Sequence, residues 1–221
     1  LISPGGGVFS RGAKLLKLTP EIQASLDISQ AALKPSELIN ALLKAPVDLI
    51  WNGGIGSYVK AAGESHQDVG DRANDTVRID GRELRCRVFG EGGNLGMTQR
   101  GRIEYALNGG ACNTDFIDNS GGVDCSEDLT TKQRNQVLVD MTEEVSELVL
   151  ANNYRQTLTI SLAHYRCKTN FSEYWRAIGD WEASGLINRS LEYLPDDETL
   201  KEREKRQLGL THPELAILVS Y

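Results

Sequence analysis

The stretch RCRVFGEGGNLGMTQRGR, residues 85–102, decides the fold because it joins three local patterns end to end. An apolar run typical of a strand, residues 84–89, breaks into a glycine-rich segment, and Thr98 predicts the cap of a helix that continues to Leu107. A strand, a glycine loop and a helix in this order are typical of a parallel sheet, which binds ligands at the carboxyl ends of its strands.

Two further segments repeat the change from strand to glycine loop. VDLIW, residues 47–51, runs into NGGIG, and ACNTDFID, residues 111–118, runs into NSGGVDCSE. We therefore predict three parallel strands that deliver three glycine loops to one edge of a sheet. The predicted class is α/β, with the sheet and its helices in residues 1–127.

The remainder of the chain, residues 128–221, is predicted to be an all-helical segment because glycine almost vanishes after Glu127. Its first part is predicted to form one long helix, or two joined near Asn152 and Asn153. The apolar face of this helix carries Val137, Leu138, Met141, Val145, Leu148 and Val149. The chain begins without Met and stops inside a helix capped at Thr211, which indicates a piece of a longer polypeptide.

The composition of the chain argues against several classes of function. The formal net charge is -7 and the basic residues are scattered among acids, which argues against a nucleic-acid partner. No apolar stretch approaches the roughly 20 residues that a membrane crossing needs, and the N-terminus lacks the order of a signal peptide. We therefore expect a cytoplasmic protein. The four cysteines show no CxxC spacing and are predicted to be reduced, structural thiols.

The glycine loops do not match the known phosphate-binding motifs. Counting G-x-G-x-x-G from Gly90 and Gly92 puts Leu95 at the third glycine position, and the chain contains no G-x-x-x-x-G-K-[ST]. The loops do carry amide side chains, whose donor and acceptor would complement a nicotinamide carboxamide or a ribose hydroxyl. Asn is also common in turns that bind nothing, so the residues alone leave both interpretations open.

A resemblance favours the first interpretation. The stretches APVDLIWNGGIGSYVKA, FGEGGNLGMTQRGRIEYALNGG and TDFIDNSGGVDCSE resemble the large, NAD-specific glutamate dehydrogenases of bacteria, with a match from Leu1 to about Ser126. THPELAILVSY resembles a further motif of these proteins. EGGN, residues 91–94, is similar to the EGAN loop of ordinary glutamate dehydrogenases, and NSGGV, residues 119–123, is similar to their NAGGV.

The resemblance implies an NAD cofactor, with L-glutamate and 2-oxoglutarate as substrate and product of the full-length enzyme. It implies that Ser126 binds the distal carboxylate of glutamate. The full-length protein is also expected to be a homo-oligomer, and the charge and apolar pattern of the chain argue against nucleic-acid and membrane partners. The cofactor-binding residues that the resemblance implies are Asn52, Gly53, Gly54, Glu91, Gly92, Gly93, Asn94 and Asn119.

The family's pyrophosphate loop and its catalytic lysines and aspartate are missing from this chain, and we expect them upstream of Leu1. We therefore assign no catalytic residue and no metal site here. The chain is interpreted as the second half of a Rossmann-like NAD domain followed by helices, and is expected to be inactive alone.

Two alternatives belong to other functional classes. One is a helical interaction module whose glycine loops are structural. The other is an S-adenosylmethionine-dependent methyltransferase, since VFGEGGNLG, residues 88–96, resembles the first glycine loop of that family. That loop should follow the first strand of its domain, whereas here it follows VDLIW.

Overall fold

The computed structural model of the chain describes residues 2–121 and 131–221, with the backbone alone described for 131–141. The described chain divides into two units, Leu1–Cys112 and Asn113–Tyr221. The first unit contains β1 (Leu16–Lys17), α1 (Pro20–Leu26), β2 (Ala32–Leu33), α2 (Pro35–Leu43), β3 (Leu49–Asn52), β4 (Val59–Lys60), α3 (His66–Val69), β5 (Ile79–Asp80), β6 (Val88–Glu91), α4 (Gln99–Leu107) and β7 (Ala111–Cys112).

The first part of this unit folds around two capped helices. Thr19 accepts a hydrogen bond from the backbone N–H of Ile22, and Pro20 occupies the first turn of α1, so the predicted start of this helix is confirmed. Strands β1 and β2 pair antiparallel beside α1 and α2. A small apolar core holds this part together, formed by Leu16, Leu18, Leu26, Leu38 and Ala45.

The parallel sheet has the strand order β3-β6-β7. Ile50 pairs with Phe89, and Phe89 pairs with Cys112, which places the three residues in one row on one face. Phe89 is fully buried there, in a core that also includes Val59, Ile79, Leu84, Cys86, Met97 and Tyr105. The predicted parallel sheet is confirmed, with its second strand at Val88–Glu91 rather than at residues 84–89.

The prediction of a third strand over residues 111–118 is wrong for most of its length. Only Ala111 and Cys112 pair with β6, and Asp115–Asp118 forms the short helix α5. The extended backbone of Thr114 begins this turn, because its carbonyl accepts hydrogen bonds from the N–H groups of Ile117 and Asp118. The helix places the side chain of Ile117 in the buried core.

The second unit is helical, as predicted. It contains α5, α6 (Thr131–Thr169), α7 (Phe171–Ala183), α8 (Asp197–Lys205) and α9 (His212–Val219). Helix α6 continues unbroken past Asn152 and Asn153, which confirms the single long helix. The core of the unit is formed by Ile117, Ile160, Cys167, Ile178, Ile187, Leu194, Leu200, Leu210, Leu215, Ala216 and Leu218. Among the described residues, no helix is both long and apolar enough to cross a membrane.

The cysteine prediction is confirmed for the thiols that the structure describes. Cys86, Cys112 and Cys167 are free and buried, and Cys125 lies outside the described residues. Burial raises the pKa of Cys86 and of Cys167 above the ordinary value, so both are neutral, apolar-packed thiols near neutral pH.

Candidate functional site

The first two glycine loops meet at the carboxyl edge of the sheet. Strands β3 and β6 end side by side, with Asn52 opposite Glu91, and a glycine loop follows each strand. A Cβ atom added to Gly93 would lie 2.6 Å from the carbonyl oxygen of Gly54. The two loops therefore touch through their backbones, and only glycine fits at position 93 without moving one of them.

The ring of Trp51 covers one face of the sheet at this edge. A Cβ atom at Gly90 or at Gly92 would lie 2.5 or 2.6 Å from atoms of the Trp51 ring. The indole therefore lies directly against the backbone of β6 and of the loop that follows it. These two glycines allow an aromatic ring to approach the strand end closely.

Glu91 anchors the second loop from inside the domain. Its carboxylate is fully buried and accepts two hydrogen bonds from Arg102, at 2.6 Å to Oε1 and 2.9 Å to Oε2. Its Oε2 also accepts the backbone N–H of Met97 at 2.9 Å. This two-point charged pair joins the end of β6, the end of the loop and the first turn of α4. A contact from Glu91 to a cofactor in this conformation would have to come from its backbone.

The middle of the second loop is held by the segment that follows the first loop. The hydroxyl of Ser57 donates to the carbonyl of Leu95 at 2.8 Å, and the N–H of Tyr58 donates to the carbonyl of Gly96 at 2.9 Å. The carboxylate of Asp71 accepts the N–H of Ser57 at 2.9 Å. Hydrogen bonds, above all from the Asn74 side chain, hold the pKa of Asp71 below its ordinary value. These hydrogen bonds fix the position of the second loop within the first unit.

The amide of Asn52 is the unsatisfied group at this edge. Its Nδ2 is enclosed and has no hydrogen-bond partner among the described residues, and it lies against Gly96. An enclosed donor without a partner typically costs about 1–3 kcal/mol. Beyond it, Asn94 is exposed at the loop surface. Two amides and touching glycine backbones fit a ligand with a flat ring, a carboxamide and ribose hydroxyls.

The two remaining predicted site residues are Asn119 and Ser126. Asn119 directly follows the helix α5, in the second unit, and does not follow a strand. Its backbone N–H donates to the carbonyl of Asp115 at 2.8 Å. Its neighbour Ser120 donates to the side chain of Asn153 at 2.7 Å. Ser126 lies outside the described residues. The cofactor role of Asn119 and the substrate role of Ser126 therefore stay predictions.

Three residues that support the site were missed by the sequence analysis. Arg102, Trp51 and Ser57 all act on the loops through partners that are distant in the chain. A glutamate at a strand end and an arginine in the next helix weakly predict an ion pair. Trp51 and Ser57 belong to no sequence motif that would predict their contacts.

Comparison with known proteins points to one family. Residues 1–163 match the family described as "Bacterial NAD-glutamate dehydrogenase, catalytic domain". A "NAD-specific glutamate dehydrogenase" of Pseudomonas aeruginosa is 56% identical over 237 aligned positions, and those of Halomonas elongata and Mycobacterium tuberculosis are 54% and 42% identical. Each alignment covers the whole of this chain but only 15% of the relative. The chain thus spans a small part of the length of these proteins.

Proposed function

This chain belongs to the bacterial NAD-glutamate dehydrogenase catalytic-domain family, and on that basis we propose that it forms the second half of the Rossmann-like NAD domain of such an enzyme. The enzyme would convert L-glutamate to 2-oxoglutarate and ammonium. The bound NAD would supply the acceptor for the hydride that leaves the α-carbon. This chain would contribute walls of the cofactor site, with no catalytic acid or base assigned to it.

One observation carries the cofactor proposal. The loops after β3 and β6 touch at Gly54 and Gly93, on the edge where parallel sheets bind ligands. Asn52 and Asn94 are proposed to face the nicotinamide half of NAD, together with Gly53, Gly54, Gly92 and Gly93. Glu91 is proposed to keep the second loop in place through Arg102.

The remaining roles extend this proposal to the substrate. Asn119 is proposed to bind the nicotinamide carboxamide, and Ser126 to donate a hydrogen bond to the distal carboxylate of glutamate. The full-length enzyme is proposed to be a cytoplasmic homo-oligomer without nucleic-acid or membrane partners. The acidic charge of the chain supports only the absence of a nucleic-acid partner. No observation on the described residues favours a methyltransferase or an interaction module.

The test is a pair of glycine substitutions in the full-length enzyme. A Cβ atom at Gly54 and one at Gly63 would each meet no atom within 4 Å, so alanine fits the protein at both positions. If NAD lies over the first loop, Gly54→Ala places a methyl group in the cofactor's space. We expect its NAD KM to rise by roughly tenfold, equivalent to about 1.4 kcal/mol.

Gly63→Ala is the matched control, and its NAD KM should stay unchanged. Both variants should be at least as stable to heat as the parent, because neither methyl group meets a protein atom and alanine restricts the unfolded chain more than glycine, by about 0.4–1 kcal/mol. An unchanged NAD KM in Gly54→Ala, with normal stability, would show that this loop does not contact the cofactor.

A further inference from the structure

Leu95, in the second glycine loop, has a left-handed backbone with a φ of 55°. This conformation suits glycine, but in any other L-residue it brings the Cβ atom too close to a backbone carbonyl oxygen. Leu95 also stands where a G-x-G-x-x-G pattern counted from Gly90 has its third glycine. Such strain persists only where the surrounding structure over-determines the backbone. The contacts that hold Leu95 therefore help to set the shape of the loop.

The segment that follows the first loop supplies contacts of this kind. The hydroxyl of Ser57 donates to the carbonyl of Leu95 at 2.8 Å. The carbonyl of Gly96 accepts the backbone N–H of Tyr58 at 2.9 Å and that of Val59 at 3.2 Å. Three donors thus converge on two successive carbonyl groups, and they fix the direction of the backbone on the C-terminal side of Leu95.

Ser57 is itself held on both sides of its backbone. Its N–H donates to Oδ2 of Asp71 at 2.9 Å, and its carbonyl accepts a hydrogen bond from Nε of Arg78 at 2.8 Å. The position of the Ser57 hydroxyl therefore depends on residues that lie 14 and 21 positions further along the chain.

The guanidinium of Arg78 connects these contacts. Its side chain is 0% exposed. Nη2 donates to the carbonyl of Asp71 at 2.5 Å, and Nη1 donates to Oδ1 of Asp75 at 2.6 Å and to Nδ1 of His66 at 2.8 Å. An apolar side chain could fill the same space without the cost of removing a charge from water. A planar guanidinium instead binds in several fixed directions at once, and here it ties Ser57 to Asp71.

We propose that Arg78 is a positioning residue for NAD. Through Asp71 and Ser57 it keeps Leu95 in the left-handed conformation, and it thereby holds the second loop in the shape that the cofactor needs. The role is exerted through the loop and not by contact with the reacting atoms. This inference rests on the proposed NAD site and adds to it the residue that shapes the second loop.

The test uses the full-length enzyme and two variants that break the series of contacts at different points. Arg78→Lys keeps the positive charge, but an ammonium group cannot reach all the partners of the guanidinium at once. Ser57→Ala removes the donor to Leu95 and leaves the backbone hydrogen bonds of residue 57 in place. We expect each variant to raise the NAD KM roughly fivefold or more, the effect of one lost hydrogen bond, and to leave the glutamate KM nearly unchanged.

Ser65→Ala is the matched control, because the hydroxyl of Ser65 caps α3 in the same segment by accepting the N–H of Asp68. Loss of this cap should lower the melting temperature and leave the NAD KM at the parental value. The same pattern in Ser57→Ala would mean that Ser57 is only structural, and it would overturn the proposal. If Arg78→Lys does not fold, Ser57→Ala still decides the result.

Leu95→Gly tests whether Arg78 and Ser57 act through the backbone of Leu95. Glycine adopts the left-handed conformation without a steric cost, so the loop no longer needs these contacts to reach it. In a Leu95→Gly background, Arg78→Lys and Ser57→Ala should therefore each change the NAD KM by less than about twofold. Increases as large as those in the parental background would overturn the proposal.

Gly54→Ala separates this proposal from the proposed function on which it rests. If Gly54→Ala raises the NAD KM and Ser57→Ala does not, the positioning role fails while the NAD site stands. If neither variant changes the NAD KM, the assignment of the NAD site fails, and the positioning role fails with it.

Discussion

Arg102 and Glu91 form a buried ion pair beneath the candidate cofactor loop, with the Nε of Arg102 2.6 Å from Oε1 and its Nη2 2.9 Å from Oε2. Both side chains are almost completely removed from solvent. The pair connects a strand end to the helix that follows the loop, so the position of the loop depends on it.

Replacing Arg102 should destabilise the domain strongly. Arg102→Met leaves the carboxylate of Glu91 buried without its cation, which typically costs about 3–5 kcal/mol. Arg206→Met is the control, because the ion pair of Arg206 with Glu202 is exposed and 3.5 Å long, and such pairs contribute about 0–1 kcal/mol. Thermal unfolding of the two variants checks this. Equal losses of stability would show that the buried pair does not anchor the fold.

Adding a side chain where the two loops touch should affect both stability and cofactor binding. Gly93→Ala would place a methyl group 2.6 Å from the Gly54 carbonyl oxygen, so the loops must separate, at a cost of about 1–3 kcal/mol. We expect a lower melting temperature together with a higher NAD KM. Gly63→Ala, in open space, should cause neither change. A Gly93→Ala enzyme with parental kinetics would mean that the contact between the loops is unimportant for NAD.

Asn119 should matter more for turnover than for folding. If its amide pairs with the nicotinamide carboxamide, Asn119→Ala removes one or two hydrogen bonds and leaves a polar group unpaired, at a cost of about 1–3 kcal/mol in binding or turnover. Steady-state kinetics and thermal unfolding of the full-length enzyme measure the two effects. A variant that unfolds more readily but keeps normal kinetics would identify Asn119 as a turn residue.

Ser126 should distinguish substrate binding from cofactor binding. Loss of a hydrogen bond to the distal carboxylate of glutamate costs about 1.5–3 kcal/mol, so Ser126→Ala should raise the glutamate KM roughly tenfold or more. The NAD KM should barely change. If Ser126 only caps the start of the helical segment that follows it in the sequence, the variant would lose about 1 kcal/mol of stability and keep its glutamate KM.

The second unit should lose stability in mild acid. Burial lowers the pKa of His164 and of His212, whose rings pack edge to face at 4.8 Å. In the folded state each ring therefore binds a proton at a lower pH than in the unfolded chain, where the ordinary His pKa is about 6.5. Unfolded protein then binds more protons than folded protein, so the free energy of unfolding falls as the pH drops below that value.

The variant His164→Asn tests this pH dependence. The ring Nδ1 of His164 lies 2.9 Å from the carbonyl oxygen of Leu210, and the side-chain amide nitrogen of asparagine occupies nearly the same position as Nδ1. Removing one titrating ring should flatten the decline in stability between pH 7 and pH 5, as followed by urea unfolding. An unchanged slope would place the pH dependence on other groups.

Local signals in the sequence were enough for most of the helices. Thr19, Thr98 and Thr211 each accept a hydrogen bond from a backbone N–H three residues later, so their partners lie within the same short stretch. The alternation of strands with helices likewise predicted the parallel sheet. The third strand was the exception, because TDFID has no strong period and the packing of Ile117 decides in favour of a helical turn.

By itself, then, the sequence determined the α/β class, the order of strands and glycine loops, the helix starts and the family. Tertiary structure alone decided that Glu91 faces Arg102, that Gly93 touches Gly54 and that Asn52 retains an enclosed donor. The physical reason is the distance along the sequence between the residues that interact. Caps and turns depend on neighbours within one helical turn, whereas burial, ion pairing and close approach depend on residues that only the folded chain brings together.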